Sequence, residues 1–191
     1  MTAHDITEGR TAGPLVLRPP RDEDIDRILQ WRNRPEVTQW LIRTVVEPEE
    51  FRRTWLESVA DPDDHRLVAV RGDQIVGVGE LWVSDAMGQS HVADGPWPKA
   101  EAGIGYLIDP AHAGNGYATA IGRALLELAF GEIGVRRVTA GCFADNLASV
   151  RVLEKLGMRR EQHGVEDSWH AELGWIDGYT YAVLASEWRA G

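Results

Sequence analysis

Cysteine is almost absent from this chain of 191 residues, Cys142 being the only one. A lone thiol excludes an internal disulfide framework and fits a reducing compartment, so the fold must stand on packing. Apolar runs of membrane-spanning length are missing, and the opening "MTAHDITEGRTAGP" is polar, without a basic-then-apolar leader. A soluble cytoplasmic protein with no membrane partner is the expectation. Basic stripes with interleaved aromatics are lacking, and the formal net charge is -10. That speaks against nucleic acid, whose binding depends on cations that neutralise phosphates. The six histidines, at positions 4, 65, 91, 112, 163 and 170, show no ligand-like pairing and no cysteine at metal spacing. No metal is expected. There is neither an internal repeat nor a low-complexity block.

What is present is a chain long enough to bury one core. Residues 1–13 have no periodicity and are expected to be disordered, leaving 14–191 as one domain. "LVLRP" reads as a strand, and Asp22 is placed to cap a helix carrying Ile25, Ile28, Leu29 and Trp31. Pro48, Glu49 and Glu50 suit a first helical turn, with Phe51, Trp55 and Val59 along one side. "RLVAV" and "IVGVGELWV" are strands joined by a turn at Arg71-Gly72-Asp73, a tripeptide that also spells an adhesion motif but reads here as a turn. Residues 84–100 are a loop by composition, with Trp97 placed to wall a site. "AGIGYLI" is a strand, and a helix follows with Ile121, Leu125, Leu128 and Ala129 on one face and Gly134 near its end. A strand "RRVTAGCF", a helix stopped by Gly157, and two strands around "GWIDGY" complete a mixed α/β protein.

Between the fourth strand candidate and its helix stands "DPAHAGNGYATA", in which Gly114 and Gly116 lie one residue apart. Bare backbone before a helix is either a tight turn or a cradle for an anion, because the first helical N–H groups and the dipole favour negative charge. Gly116 is followed by Tyr117-Ala118 rather than Lys-[Ser/Thr], which excludes a P-loop. Thr119 replaces the third glycine of a dinucleotide fingerprint, and no acidic residue closes a second strand at the expected distance.

The stretch resembles the pyrophosphate loop of the GNAT acetyltransferases, [Q/R]-x-x-G-x-[G/A], at Ala113-Gly114-Asn115-Gly116-Tyr117-Ala118, with alanine where the family carries Arg or Gln. "ADNLASVRVLEKLGM" is similar to a second family segment, with Asn146, Ser149, Glu154, Lys155 and Gly157 in place. "WRNRPEVTQWL" and "DGYTYAVLASEW" look like the ribosomal-protein (RimJ/RimL-like) branch. The resemblance spans about residues 14–189. It implies a GNAT fold, a twisted mixed sheet of six to seven strands splayed where CoA binds, in a bacterial, often dimeric enzyme. The implied reaction moves acetyl from acetyl-CoA to a primary amine by direct attack in a ternary complex, with no metal. The acceptor would be a protein N-terminus or a small cationic amine. A non-catalytic acyl-CoA-binding module is the alternative.

Carried onto this chain, the resemblance gives Ala113, Gly114, Asn115, Gly116, Tyr117, Ala118 and Thr119 to the pyrophosphate, and Leu107 and Ile108 to the pantetheine through their backbones. Asn146 caps its helix and also reaches the CoA arm. Ser149 is the candidate acid for the departing thiolate, since Val152 and Leu153 leave no phenol nearby. The base is Glu101, at the start of the strand before the loop, or else Glu80 on the neighbouring strand. Cys142 is read as packing, since direct transfer needs no thiol nucleophile.

Overall fold

The computed structural model describes residues 9–89 and 95–188. Eight strands are hydrogen-bonded in the order β1-β2-β3-β4-β5-β6-β8-β7. They are β1 Arg10–Ala12, β2 Leu15–Arg18, β3 Asp64–Arg71, β4 Gln74–Ser84, β5 Glu101–Ile108, β6 Arg137–Phe143, β7 Arg159–His170 and β8 Gly174–Leu184. Five helices accompany them: α1 Asp22–Arg32, α2 Pro35–Thr38, α3 Pro48–Glu57, α4 Tyr117–Glu127 and α5 Leu147–Lys155. The strand beyond the expected six to seven is β1, formed by residues 10–12 of the stretch expected to be disordered; it pairs antiparallel with β2. The chain divides into two compact units, residues 1–81 with 105–125 and residues 82–104 with 126–191.

In the first unit the apolar spacing of α1 and α3 does what their sequence requires. Ile25, Ile28, Trp31, Phe51 and Trp55 are buried together against Val68, Ile75 and Val78 of the strands. The Phe51 and Trp55 rings lie 5.0 Å apart. The expected cap of α1 is corrected. Asp22 is already inside the helix, and Asp24 reaches back from the third position to accept the Arg21 N–H at 2.7 Å. The Asp24 carboxylate also takes both arms of Arg18, at 2.6 and 2.8 Å, while only 1% exposed. Val59, expected on the buried side of α3, falls beyond the helix end and is exposed. Gly79 of β4 is bare because α4 presses on it: a Cβ there would stand 2.7 Å from Ile121.

In the second unit, β6, β8 and β7 form an antiparallel array, Arg137↔Leu184 through Phe143↔Gly178 and Arg159↔Ala182 through His170↔Gly174. The reversal lies at residues 171–173, so "GWIDGY" belongs to β8 rather than to the turn. Gly134 ends the helical run with φ 80°, as its place in the sequence suggests. The parallel pairing of β5 with β6 comprises Glu101↔Arg137, Ala102↔Val138 and Gly103↔Thr139.

Candidate active site

The glycine loop is built by β5 and α4. Asp109 closes the strand: its N–H bonds Val76 O at 3.0 Å, and its carboxylate accepts the Ala111 N–H at 3.0 Å, starting a 3₁₀ turn at Pro110–His112. Gly114 and Gly116 then adopt φ 79° and 77°, with open space where a Cβ would stand. Glycine is required there by the left-handed backbone, not by crowding. The Asn115 side chain is spent inside the loop, donating to His112 O at 3.0 Å and Ala113 O at 3.2 Å. The first α4 N–H to find a partner is that of Ala120, bonded to Gly116 O at 3.1 Å. The N–H groups of residues 114–119 have no acceptor among the described residues. Such a row of donors at the positive end of a helix dipole is suited to a multiply charged phosphate.

The side chains of two of the expected cofactor-binding residues, Tyr117 and Leu107, are turned to other uses. Tyr117 is buried, 6% exposed, so its phenol belongs to the core. Leu107 packs its side chain against the α1/α3 cluster. Ala113 offers no side-chain donor.

In the same unit Glu80 sits on β4 between buried Gly79 and Leu81, recessed but with part of its surface open to solvent. Its carboxylate makes no hydrogen bond among the described residues. Burial pushes this carboxyl above the ordinary carboxylate range; Arg66 opposes the rise, Asp64 adds to it, and Arg32 and Arg43 oppose it further. A desolvated, unpartnered carboxylate of raised basicity is what general-base chemistry needs.

The second unit holds the other candidates. Asn146 caps α5, its Oδ1 accepting the Ser149 N–H at 3.1 Å, which places Ser149 in the first turn. Glu101, the first candidate for the base, lies in a chain of ion pairs. Its carboxylate is paired with Arg137 at 3.0 Å, Arg137 also holds Glu161, and Glu161 holds Arg159 at 2.5 Å. The Cys142 thiol is pushed up to about 11 by burial, which keeps it protonated and inert at neutral pH. Trp97 is tucked against the bare faces of Gly88 and Gly95, and its carbonyl accepts the Ala86 N–H at 2.8 Å. That hydrogen bond ties the two sides of its loop together. His4 and His91 lie outside the described residues. Among the described residues there is no group of three His, Cys, Asp or Glu that could hold a metal ion, and no helix long and apolar enough to cross a membrane.

The signal that sequence reasoning undervalued is the pattern around Glu80. An acid inside "VGVGELWV", flanked by buried apolar and glycine positions, must be desolvated once the strand is internal.

Backbone donors left open at the N-terminus of α4 suit an anionic ligand. Residues 14–159 match the acetyltransferase (GNAT) domain family, and the chain belongs to it. YnaD of Bacillus subtilis (strain 168), named an uncharacterized N-acetyltransferase, is 38% identical over 86 residues, 45% of this chain and 50% of YnaD. That alignment spans half of the relative. AaaT of Escherichia coli (strain K12), named an L-amino acid N-acetyltransferase, is 28% identical over 151 residues, 78% of this chain and 86% of AaaT. Among solved structures, Mycobacterium smegmatis RimJ in complex with CoA-disulfide matches with a TM-score of 0.74 at 22% identity, covering 92% of this chain and 84% of that one. The RimJ likeness is one of fold. By family, this chain is an acetyl-CoA-dependent N-acetyltransferase.

Proposed function

We propose that the chain transfers acetyl from acetyl-CoA to a primary amine by direct attack, with Glu80 as the base. The observation that carries the reading is the row of N–H groups at residues 114–119 without acceptors, which suits the CoA pyrophosphate. Leu107 and Ile108 would hold the pantetheine arm through main-chain groups, as an added strand does. Asn146 keeps its cap on α5.

An ammonium cannot attack, so the acceptor must lose a proton first. Glu80 takes it, directly or through water, because burial raises its basicity and no partner competes for its oxygens. The freed nitrogen lone pair forms the new C–N bond as the C–S bond breaks, and the second proton that the nitrogen sheds goes to the departing thiolate. Glu101 is reassigned from base to the ion-pair chain it makes with Arg137. The acceptor class is a small amine rather than a protein N-terminus, a choice supported by AaaT, which is named for L-amino acids.

The test is a thermal-shift series with acetyl-CoA beside NAD and ATP, followed by CoA release with an amine panel. Acetyl-CoA alone should raise the midpoint, since a ligand at 100 times its Kd stabilises the native state by about 2.7 kcal/mol. No shift with acetyl-CoA, or an equal shift with NAD, would sink the reading.

A further inference from the structure

From Glu161 to Trp188 the chain holds neither Lys nor Arg, although the whole sequence has 20 of them. That stretch is nearly all of β7 and β8, and β7 is the last strand in the order of the sheet. Near the reversal of this hairpin Trp169 and Trp175 stand directly opposite each other, their rings 5.4 Å apart and edge to face. The indoles are 61% and 59% exposed, and Leu173 in the reversal is exposed as well. A cross-strand aromatic pair steadies a hairpin, but these two rings keep most of their surface in water. Apolar side chains grouped in this way on a surface mark a place of contact with another molecule.

The backbone fixes where the pair is presented. Gly164 pairs with Gly178 and Ser168 with Ile176, so residues 165–167 bulge out opposite Asp177 alone. Asp177 locks the bulge: its Oδ1 accepts the Glu166 N–H at 2.9 Å, and its Oδ2 lies 2.5 Å from His163 Nε2. Glu166 is thereby held at φ 47°, in the left-handed region. At the reversal, His170 Nδ1 accepts the N–H groups of Glu172 and Leu173, each at 3.2 Å. Asp167 is occupied with the Ser168 hydroxyl, which donates to it at 2.8 Å. Glu166 and Glu172 remain, exposed on either side of the tryptophans in the chain and without a Lys or Arg partner among the described residues.

Charge decides what the surface fits. A second copy would bring the same carboxylates, on a chain of net charge -10, and a bulged, charged edge is guarded against pairing with itself. A cation is complementary twice over, because it pairs with the carboxylates and also lies favourably on an indole face. Residues 166 to 172 extend over roughly 20 Å of strand at about 3.3 Å per residue, which matches a chain of several cations better than one ammonium.

We infer that the tryptophan-bearing end of the β7–β8 hairpin docks a basic, extended segment of another protein, its Arg or Lys side chains lying on Trp169 and Trp175 and pairing with Glu166 and Glu172. This contact is distinct from acetyl transfer and depends on neither Glu80 nor the glycine loop.

The experiment titrates the full chain into a fluorescein-labelled peptide of alternating Arg and Thr, long enough to lie along β7, and reads anisotropy. A matched peptide of Gln and Thr is the neutral control, and free spermine is the competitor. The Arg peptide should bind and the Gln peptide should not. Trp169→Ala and Trp175→Ala should each weaken binding by about tenfold, as loss of an aromatic anchor does. Glu166→Asn, which suits the left-handed backbone, and Glu172→Gln should each weaken it severalfold. Glu49→Gln, an exposed acid on α3 in the other unit, should leave it unchanged. Circular dichroism checks each fold, and the two Glu variants carry the test if a Trp variant unfolds. Failure of the Arg peptide to bind overturns the inference. So does equal loss with Glu49→Gln, which would mean diffuse attraction to an acidic chain, or displacement by spermine at matched charge, which would mean a site for a small polycation. A dimer in sedimentation that Trp169→Ala dissolves would make the occupant a second copy, and the inference would fall.

Discussion

Replacing Glu80 by glutamine keeps the side-chain volume and removes only the ability to take a proton. If Glu80 is the base, the rate falls by the worth of general-base catalysis, about 10²–10⁴-fold, or roughly 3–5 kcal/mol in the barrier. The same substitution should raise stability. The carboxyl has a pKa above its unfolded value because burial disfavours the anion. Its native state binds a proton more tightly than its unfolded state, so stability is greater below the unfolded pKa and is lost as pH rises through the folded pKa. At neutral pH the wild type carries that penalty and Glu80→Gln does not. The thermal midpoint should then climb by roughly 2–4 °C for each kcal/mol recovered in a chain of this size. The assay pairs CoA release with thermal unfolding across pH 5 to 9. Wild-type kcat/KM should rise along a carboxylate limb displaced above the usual range, and Glu80→Gln should lose that limb. A variant with activity within threefold of wild type refutes the role of Glu80, whatever its stability. A variant that is inactive and also less stable refutes the electrostatic reasoning, because it would mean that the anion is welcomed by its surroundings.

Gly116→Ala should cost roughly 1–2 kcal/mol of stability through its left-handed φ of 77° and also weaken the midpoint shift with acetyl-CoA, as differential scanning would show. A full ligand shift in that variant would argue that the loop is a turn and nothing more. Arg18→Met strands the buried Asp24 carboxylate and should cost about 3–5 kcal/mol in denaturant unfolding. Burial opposes the Asp24 anion, but the Arg18 and Arg21 hydrogen bonds prevail and lower its pKa, so the stability it adds is full above the ordinary Asp range and is lost as pH falls through the depressed value. Cys142→Ala should keep its kcat, and the native thiol should resist alkylation at pH 7 until the protein is unfolded.

The glycine loop was legible in the sequence because backbone conformation is written in glycine: Gly114 and Gly116 need positive φ, and few other residues tolerate it. The helix cap at Asn146 was legible for a similar reason, since capping is a local act between a side chain and an N–H three residues on. Glu101 and Glu80 show where such reading stops. In the sequence each is an acid in a strand, and proximity to the loop favours Glu101. What separates them is long-range: Arg137 arrives beside Glu101 only when β6 pairs with β5, and Glu80 is desolvated only when its strand becomes internal.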